Sequence, residues 1–357
     1  MGKNKRFLSV NKLKVGMITS REIKLEGRIL LGEGIPITQQ ILNKLRNAYF
    51  YAEIEVYCEE NDNLDINYDK KIEPIKTIEQ VEKSFIKLSF DVQHIFENME
   101  YLSLSSMDEV RKFAKRIQKE LESTSSIIKN IVLNGSGSDT IYRHGVNVAA
   151  LSTILGRWIG LNEQELNLLT YSAVLHDFGK TKINKDILDK PGALTQKEFN
   201  EIKQHPVIGY KYIKQLKFLD KSVSLGVLMH HEKCDGSGYP FGLKEEKIHK
   251  FAKIIAITDI FDAVNSDRIY KKSKAPFEAL LLIQRESLGK LDYEYCNMFL
   301  NHVVNYFMGE NILLNDGSLC KILQVDVKNI ERPLLLKDTD FIDLKKQKDL
   351  YIEKLVL

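Results

Sequence analysis

The sequence predicts a mainly α protein, a helical bundle preceded by a small α+β module and followed by a small β-rich tail, and three observations carry that expectation. Apolar residues recur at spacings of three and four through most of the chain, the periodicity of helices with one buried face. Near both ends that pattern gives way to short runs rich in branched residues, the habit of strands. A polar, charge-rich stretch without periodicity, NDNLDINYDKKIEP, separates the first of these regions from the rest.

Residues 1–70 hold the α+β module. GRILLG and EIEVYC read as strands on either side of ITQQILNKLRNAYF, whose spacing predicts a helix opened by Thr38 as N-cap. Residues 71–133 are expected to form a linker and two long amphipathic helices, seen in VEKSFIKLSFDVQHIF and VRKFAKRIQKELESTSSIIKNIV. Such helices suit a signalling stalk, a homodimer contact or the opening of the main domain, and the pattern does not choose among these. Residues 134–308 stay helical, with Thr195 and Glu198 spaced as a capping box. In residues 309–357, Asp316-Gly317 between β-prone runs predicts a hairpin. The tail is expected to cap the bundle rather than bind a ligand.

Composition excludes several classes of function. At 357 residues, 43% hydrophobic and 28% charged, the chain has room for two or three folding units. Lys and Arg number 52 against 49 Asp and Glu, so no sequence-wide basic field exists to hold a nucleic-acid polymer. An anionic ligand must be caught locally. Cys58, Cys234, Cys296 and Cys320 are far apart and form no CxxC pair, which argues against a disulfide framework or zinc knuckle and fits a reducing compartment. The start MGKNKRFLSVNKLKVGM lacks the apolar stretch of a signal peptide, and Arg6 stands where myristoylation needs Ser or Thr. No apolar run is long enough to cross a bilayer. A cytoplasmic protein without membrane insertion is expected.

The chemistry is concentrated in the helical region. Of eight histidines, His144, His176, His205, His230 and His231 fall there, at intervals of about one helix plus a connection. Asp177 and Asp259 belong to the same series. Ligands from different helices of a bundle can converge on one interior point, and imidazole with carboxylate suits iron, manganese, nickel or zinc. Adjacent residues on a helix point about 100° apart. Both members of His176-Asp177 and of His230-His231 can therefore serve one centre only if it lies against the helix or is wider than one ion. Two metals bridged by a single carboxylate answer that geometry. Burying so many titratable groups without a metal would be costly. His94, His249 and His302 stand outside the series and are read as ordinary core or surface residues.

The stretches joining these residues resemble a known family. LHDFGK (175–180), KPGALTQKEFNEIKQHPVIG (190–209), HHEKCDGSGYPFGL (230–243) and DIFDAVNSDRIYK (259–271) are similar, in order and spacing, to the HD-GYP phosphohydrolases, over about half the chain. The resemblance implies an extended HD-domain helical fold and a two- or three-metal centre, often holding iron or manganese. It further implies hydrolysis of cyclic di-GMP to linear pGpG or GMP by a hydroxide held between the ions, and diguanylate cyclases of the GGDEF type as partners. Carried over by position, His144, His176, Asp177 and Asp259 hold one metal, while Asp177, His205, His230 and His231 hold the second. Asp177 is then the bridge. Lys180 meets the scissile phosphate, Arg268 and Lys271 hold phosphates, and Tyr239 lines the substrate pocket. The loop from Asp235 to Pro240 also has a purely mechanical use, because two glycines and a proline suit any tight, fixed loop. Glu232 and Asp262 are expected to orient imidazoles.

The sequence departs from the family in places. Three-metal members carry Glu one helical turn before the first histidine, where this chain has Thr140, and a hydroxyl is a poor replacement for a bridging carboxylate. Asp139 is offset from that turn. Two divalent ions are therefore expected, iron or manganese, with other first-row metals open. Ile269 replaces the usual proline and removes no ligand. The N-terminal module is similar to small modules preceding HD-GYP domains in clostridial-type bacteria and carries no assigned chemistry. Two other readings remain: a cyclic dinucleotide sensor or partner-binding module without turnover, suggested by Thr140, and a phosphodiesterase for another cyclic dinucleotide such as cyclic GMP-AMP.

Overall fold

The structure, a computed structural model, describes residues 4–10, 13–25, 28–48, 53–58, 76–99, 104–136, 141–216, 219–270 and 277–356. The chain divides into two compact units, Met1–Pro74 and Ile75–Leu357.

The first unit contains β1 (Asn4–Ser9), β2 (Ile18–Thr19), β3 (Ile23–Leu25), β4 (Arg28–Leu31), α1 (Gln39–Ala48) and β5 (Glu53–Cys58). β5 lies between β1 and β2 and is antiparallel to both, while β3 pairs with β4. Thr38 caps α1, its Oγ1 accepting from the Ile41 N–H at 3.2 Å. Leu42 and Leu45 of α1 pack with Leu8, Val10, Ile54 and Val56 in a small core. β1 is the strand that its basic composition conceals. It pairs with β5 from Asn4 opposite Cys58 to Ser9 opposite Glu53 and buries Leu8.

The second unit opens with α2 (Ile78–Met99), α3 (Leu104–Glu120) and α4 (Thr124–Asn134). The expectation of two long helices here is corrected to three, because the second run breaks in a 3-10 turn at Leu121–Ser123. Ser123 leaves helical geometry, with φ −104° and ψ 37°, and its Oγ accepts from the Lys76 N–H at 2.8 Å. Serine readily offers the backbone such an alternative. On α2, Val81, Phe85, Leu88, Val92, Ile95 and Met99 are buried, a spacing of three and four that lays one apolar stripe against the following bundle.

That bundle comprises α5 (Tyr142–Trp158), α6 (Glu163–Leu175), α7 (Lys185–Leu188), α8 (Gln196–Ile202), α9 (His205–Ile213), α10 (Lys221–Met229), α11 (Lys250–Tyr270), α12 (Glu278–Glu286) and α13 (Tyr293–Val303). α5 is the central helix, buried along nearly its whole length and packed on α2, α6 and α11. α10 packs on α6, α9 and α11, so these helix ends meet around one interior point. The capping box at α8 forms: Glu198 N–H donates to Thr195 Oγ1 at 3.3 Å, and Thr195 N–H donates to Glu198 Oε2 at 2.7 Å.

The tail contributes β6 (Asn311–Leu314), β7 (Leu319–Asp326), β8 (Asn329–Lys337), β9 (Asp340–Asp343) and β10 (Ile352–Val356), an antiparallel sheet in the order β10-β6-β7-β8-β9. Gly317 takes φ 82° in the β6–β7 hairpin, at the Asp316-Gly317 signal. Ile312, Leu314, Cys320, Ile322, Ile330 and Leu335 belong to the same apolar core as the helices. No helix among the described residues is long and apolar enough to cross a membrane.

Candidate metal centre

The histidine series sits where helices begin and end. His144 lies in the first turn of α5. His176 is the C-cap of α6, directly after Leu175, and Asp177 follows it, ahead of a short 3-10 helix, Phe178–Lys182. His205 opens α9. His230 is the C-cap of α10, directly after Met229, and His231 follows it. Asp259 is in the middle of α11. Placing the two adjacent pairs at helix C-termini resolves the 100° problem, because the chain leaves the helix between the two side chains.

These residues converge in two groups whose donor atoms lie within 4.8 Å of one another: His144, His176 and Asp259, and Asp177, His205, His230 and His231. Asp177 stands between the groups. Its Oδ2 is 3.7 Å from His144 Nε2 and 3.5 Å from His176 Nε2, and its Oδ1 is 3.3 Å from His205 Nε2. His144 Nε2 is 3.1 Å from Asp259 Oδ1, and His205 Nε2 is 3.2 Å from His230 Nε2. Lys180 Nζ donates to Asp177 Oδ2 at 2.6 Å.

Four of the rings are turned by hydrogen bonds at Nδ1. His176, His205 and His230 face the carbonyls of Ala173, Ile202 and Val227 at 2.6, 2.7 and 2.7 Å, and His144 faces Asp262 Oδ2 at 2.7 Å. Each arrangement leaves Nε2 free to point into the centre, the usual way a protein fixes a ligating imidazole. Burial pushes His205 down to about 4 and His231 to about 3, and lowers His176 and His230 as well. Burial opposes the charge on Asp177 too, but Lys180 and the surrounding imidazoles override it and hold the carboxyl well below its ordinary range. His144 goes the other way: burial lowers it too, but Asp259 and Asp262 override burial and raise it to about 10, so a cation there must displace its proton. The other four imidazoles are held neutral around an ionised carboxylate, as a divalent cation requires.

Two buried atoms make the fit specific. His176 Nε2 and Asp177 Oδ1 have no hydrogen-bond partner, although buried polar atoms normally do. A cation among these donors would satisfy both.

Asp262 orients His144, as expected, and it is the end of a longer network. It also accepts from Ser136 Oγ at 2.6 Å and Asn147 Nδ2 at 2.7 Å. Asn147 Oδ1 accepts from Arg143 Nε at 3.1 Å, and the Arg143 guanidinium forms a two-pronged pair with Glu82 of α2 at 3.0 and 2.6 Å. Sequence reasoning missed Ser136, Arg143, Asn147 and Glu82. The available signal was the placement of Asn147 three residues after His144, on the same helix face. Asp262→Ala is expected to weaken metal binding about 10- to 100-fold, read by anaerobic competition with a chelator. Unchanged affinity would remove Asp262 from this role.

The expectation for Glu232 is corrected. Its buried carboxylate turns to no imidazole and instead accepts from the N–H groups of Phe241 and Leu243 at 2.8 and 2.9 Å, closing the loop after the paired histidines. Gly238 is required in that loop, since a Cβ there would collide with the Lys233 nitrogen and lie 2.6 Å from the Glu232 carbonyl carbon. Tyr239 N–H donates to His231 O at 3.1 Å, and its ring stacks on His231 with centroids 4.6 Å apart. The side chain of Arg268, near the end of α11, and the whole of Lys271, Asp139 and Thr140 lie outside the described residues, as does the side chain of Ile269. His302 is buried and stacked on Trp158, centroids 4.4 Å apart, and His94 is exposed.

A family model described as HD domain matches residues 110–294, just over half of the chain. With the HDFGK and HHEKCDGSGYP segments placed around one centre, that match decides the identity. The chain belongs to the HD-GYP family of HD-domain proteins. It is 34% identical over 192 residues to the cyclic di-GMP phosphodiesterase PA4108 of Pseudomonas aeruginosa, covering 54% of this chain and 46% of that protein. It is 32% identical over 190 residues to the 3'3'-cGAMP-specific phosphodiesterase 1 of Vibrio cholerae, covering 53% and 43%. The chain thus spans about half the length of the curated relatives it matches. Among solved structures, Bd1817, an HDG"Y"P protein from Bdellovibrio bacteriovorus, shares the fold with a TM-score of 0.52 at 19% identity, over 83% of this chain and 98% of that one.

Proposed function

We propose that this HD-GYP chain is a metal-dependent phosphodiesterase that hydrolyses cyclic di-GMP to pGpG and/or GMP, holding two divalent ions, iron or manganese, at the His/Asp centre. The observation that carries this reading is the buried Asp177 carboxylate between the two groups of ligand atoms. His144, His176, Asp177 and Asp259 would hold one ion, and Asp177, His205, His230 and His231 the other. Other first-row metals suit the same ligands. Ions bound there would supply Lewis-acid chemistry, activating water for attack on phosphorus and neutralising phosphate charge.

The chain's own residues bind and orient. Lys180 keeps its ammonium against Asp177 with about a quarter of the side chain exposed, so a phosphate oxygen can share it. Tyr239 gives the site an aromatic wall. Arg268 and Lys271 are assigned to the remaining phosphate contacts on the family pattern. The same reading extends to a cytoplasmic location, to diguanylate cyclases of the GGDEF type as partners and to a homodimer, whose contact must lie elsewhere than the apolar faces of α2 and α3, since these are buried in the chain's own core.

The relative named for 3'3'-cGAMP favours a second reading, the same chemistry on a cyclic dinucleotide with a different base. Anaerobically purified protein loaded with iron or manganese is incubated with cyclic di-GMP and 3'3'-cGAMP separately, and the products are resolved by chromatography. pGpG or GMP from cyclic di-GMP is the expected result. Turnover of 3'3'-cGAMP alone supports the second reading, and well-folded, metal-filled protein that binds either dinucleotide without turnover is a sensor.

A further inference from the structure

Beside the metal centre, α8 and the loop after His231 build a surface in which Phe199 and Lys203 have no part in the hydrolysis described above. The Lys203 ammonium lies 4.7 Å from the centre of the Phe199 ring and 5.2 Å from that of Tyr239. Tyr239 in turn stacks on His231. Among the described residues, no carboxylate pairs with Lys203. Phe199 is 43% exposed on a helix that buries none of its residues.

One exposed aromatic means little by itself. Here an exposed ring, a cation without a counter-ion and a second ring are in mutual contact, and the second ring lies against a residue of the centre. The surface is also held in place. The Thr195–Glu198 capping box fixes the start of α8, Lys190 Nζ grips both oxygens of Glu198 at 2.8 and 2.7 Å, and Lys203 stands two residues before His205.

We propose that Phe199 and Lys203 form a guanine-recognition shelf for the substrate, an inference that rests on the cyclic dinucleotide reading above. An aromatic face accepts a nucleobase by stacking, whichever base it is. The ammonium, which lies over that face in the absence of a base, swings on its flexible stem to the edge of the stacked base and supplies the choice. Guanine presents two acceptors, O6 and N7, along the edge a lysine reaches, whereas adenine presents an amino donor next to N7 and repels the cation. A phosphate would gain nothing from the two ring faces that flank Lys203.

The test compares kcat/KM for cyclic di-GMP with kcat/KM for its 7-deazaguanine analogue, which lacks only the N7 acceptor. In the wild-type enzyme the analogue is expected to be about tenfold worse. In Lys203→Met the natural substrate, losing the contacts at O6 and N7, falls further than the analogue, which loses only that at O6, so the two become alike; Lys203→Arg retains discrimination, and Phe199→Ala lowers both substrates alike. Metal content equal to wild type shows that the variants are folded. An equal loss on both substrates in Lys203→Met assigns the lysine to phosphate and overturns the proposal, as does no loss on either. If the wild-type enzyme turns over neither substrate, the phosphodiesterase reading itself has failed and this inference falls with it.

Discussion

Replacing Asp177 with alanine is expected to lower kcat/KM for cyclic di-GMP on the order of a thousandfold or more, about 4 kcal/mol of transition-state stabilisation, while the helices remain folded. Its oxygens lie 3.7, 3.5 and 3.3 Å from His144, His176 and His205, whereas Asp259, 3.1 Å from His144, comes no nearer than 3.9 Å to the other group, at His231 Nδ1. Removing it leaves Asp259 as the one carboxylate in the cluster and strips Lys180 of its 2.6 Å partner. Asp177→Asn keeps the shape and loses the charge, and it should fall nearly as far, because the role is electrostatic. Both variants are expected to retain at most one ion, measured by elemental analysis after anaerobic loading. A variant that keeps both ions and full turnover would contradict the assignment.

Gly179→Ala is expected to damage the same centre without touching a ligand. An added Cβ would collide with the carbonyl oxygen of His205 and lie 2.8 Å from its carbonyl carbon and 2.9 Å from the Gly209 nitrogen. These are backbone atoms, so the start of α9, and His205 with it, must move. Overpacking of this kind costs on the order of 2–3 kcal/mol, read as a Tm lower by roughly 5–10 °C in a unit of this size. Metal affinity should drop in parallel, since His205 Nε2 must stay near Asp177 and His230. Gly145→Ala is the comparison: its Cβ would meet Val174 O at 3.5 Å and Val92 Cγ1 at 3.6 Å, ordinary contacts. Little change is expected there. If both substitutions behave alike, the close approach of the HDFGK turn to α9 is not what holds the centre.

The legible features of this fold are those written in local periodicity or residue type. The stripe on α2, the Thr38 and Thr195 caps and the Asp316-Gly317 hairpin each depend on residues within a few positions of one another. The seven-residue cluster was legible for another reason: histidine and aspartate at helical intervals have few structural uses in an apolar bundle. What escaped depends on long-range pairing. Glu82 meets Arg143 across 61 positions and Asn147 meets Asp262 across 115, and no local pattern announces either contact. Glu232 was misread because its neighbours in sequence are histidines, while its neighbours in space are the amides of a loop that folds back over it. The break at Ser123 needed the Lys76 N–H, 47 positions away.

One carboxylate is proposed to join two ion sites in a hydrolytic centre. Anomalous scattering from crystals of the manganese- or iron-loaded protein tests it most directly. Two ions are expected, one among His144, His176 and Asp259 and one among His205, His230 and His231, with the oxygens of Asp177 between them. A single ion, or three fully occupied ions, would contradict it.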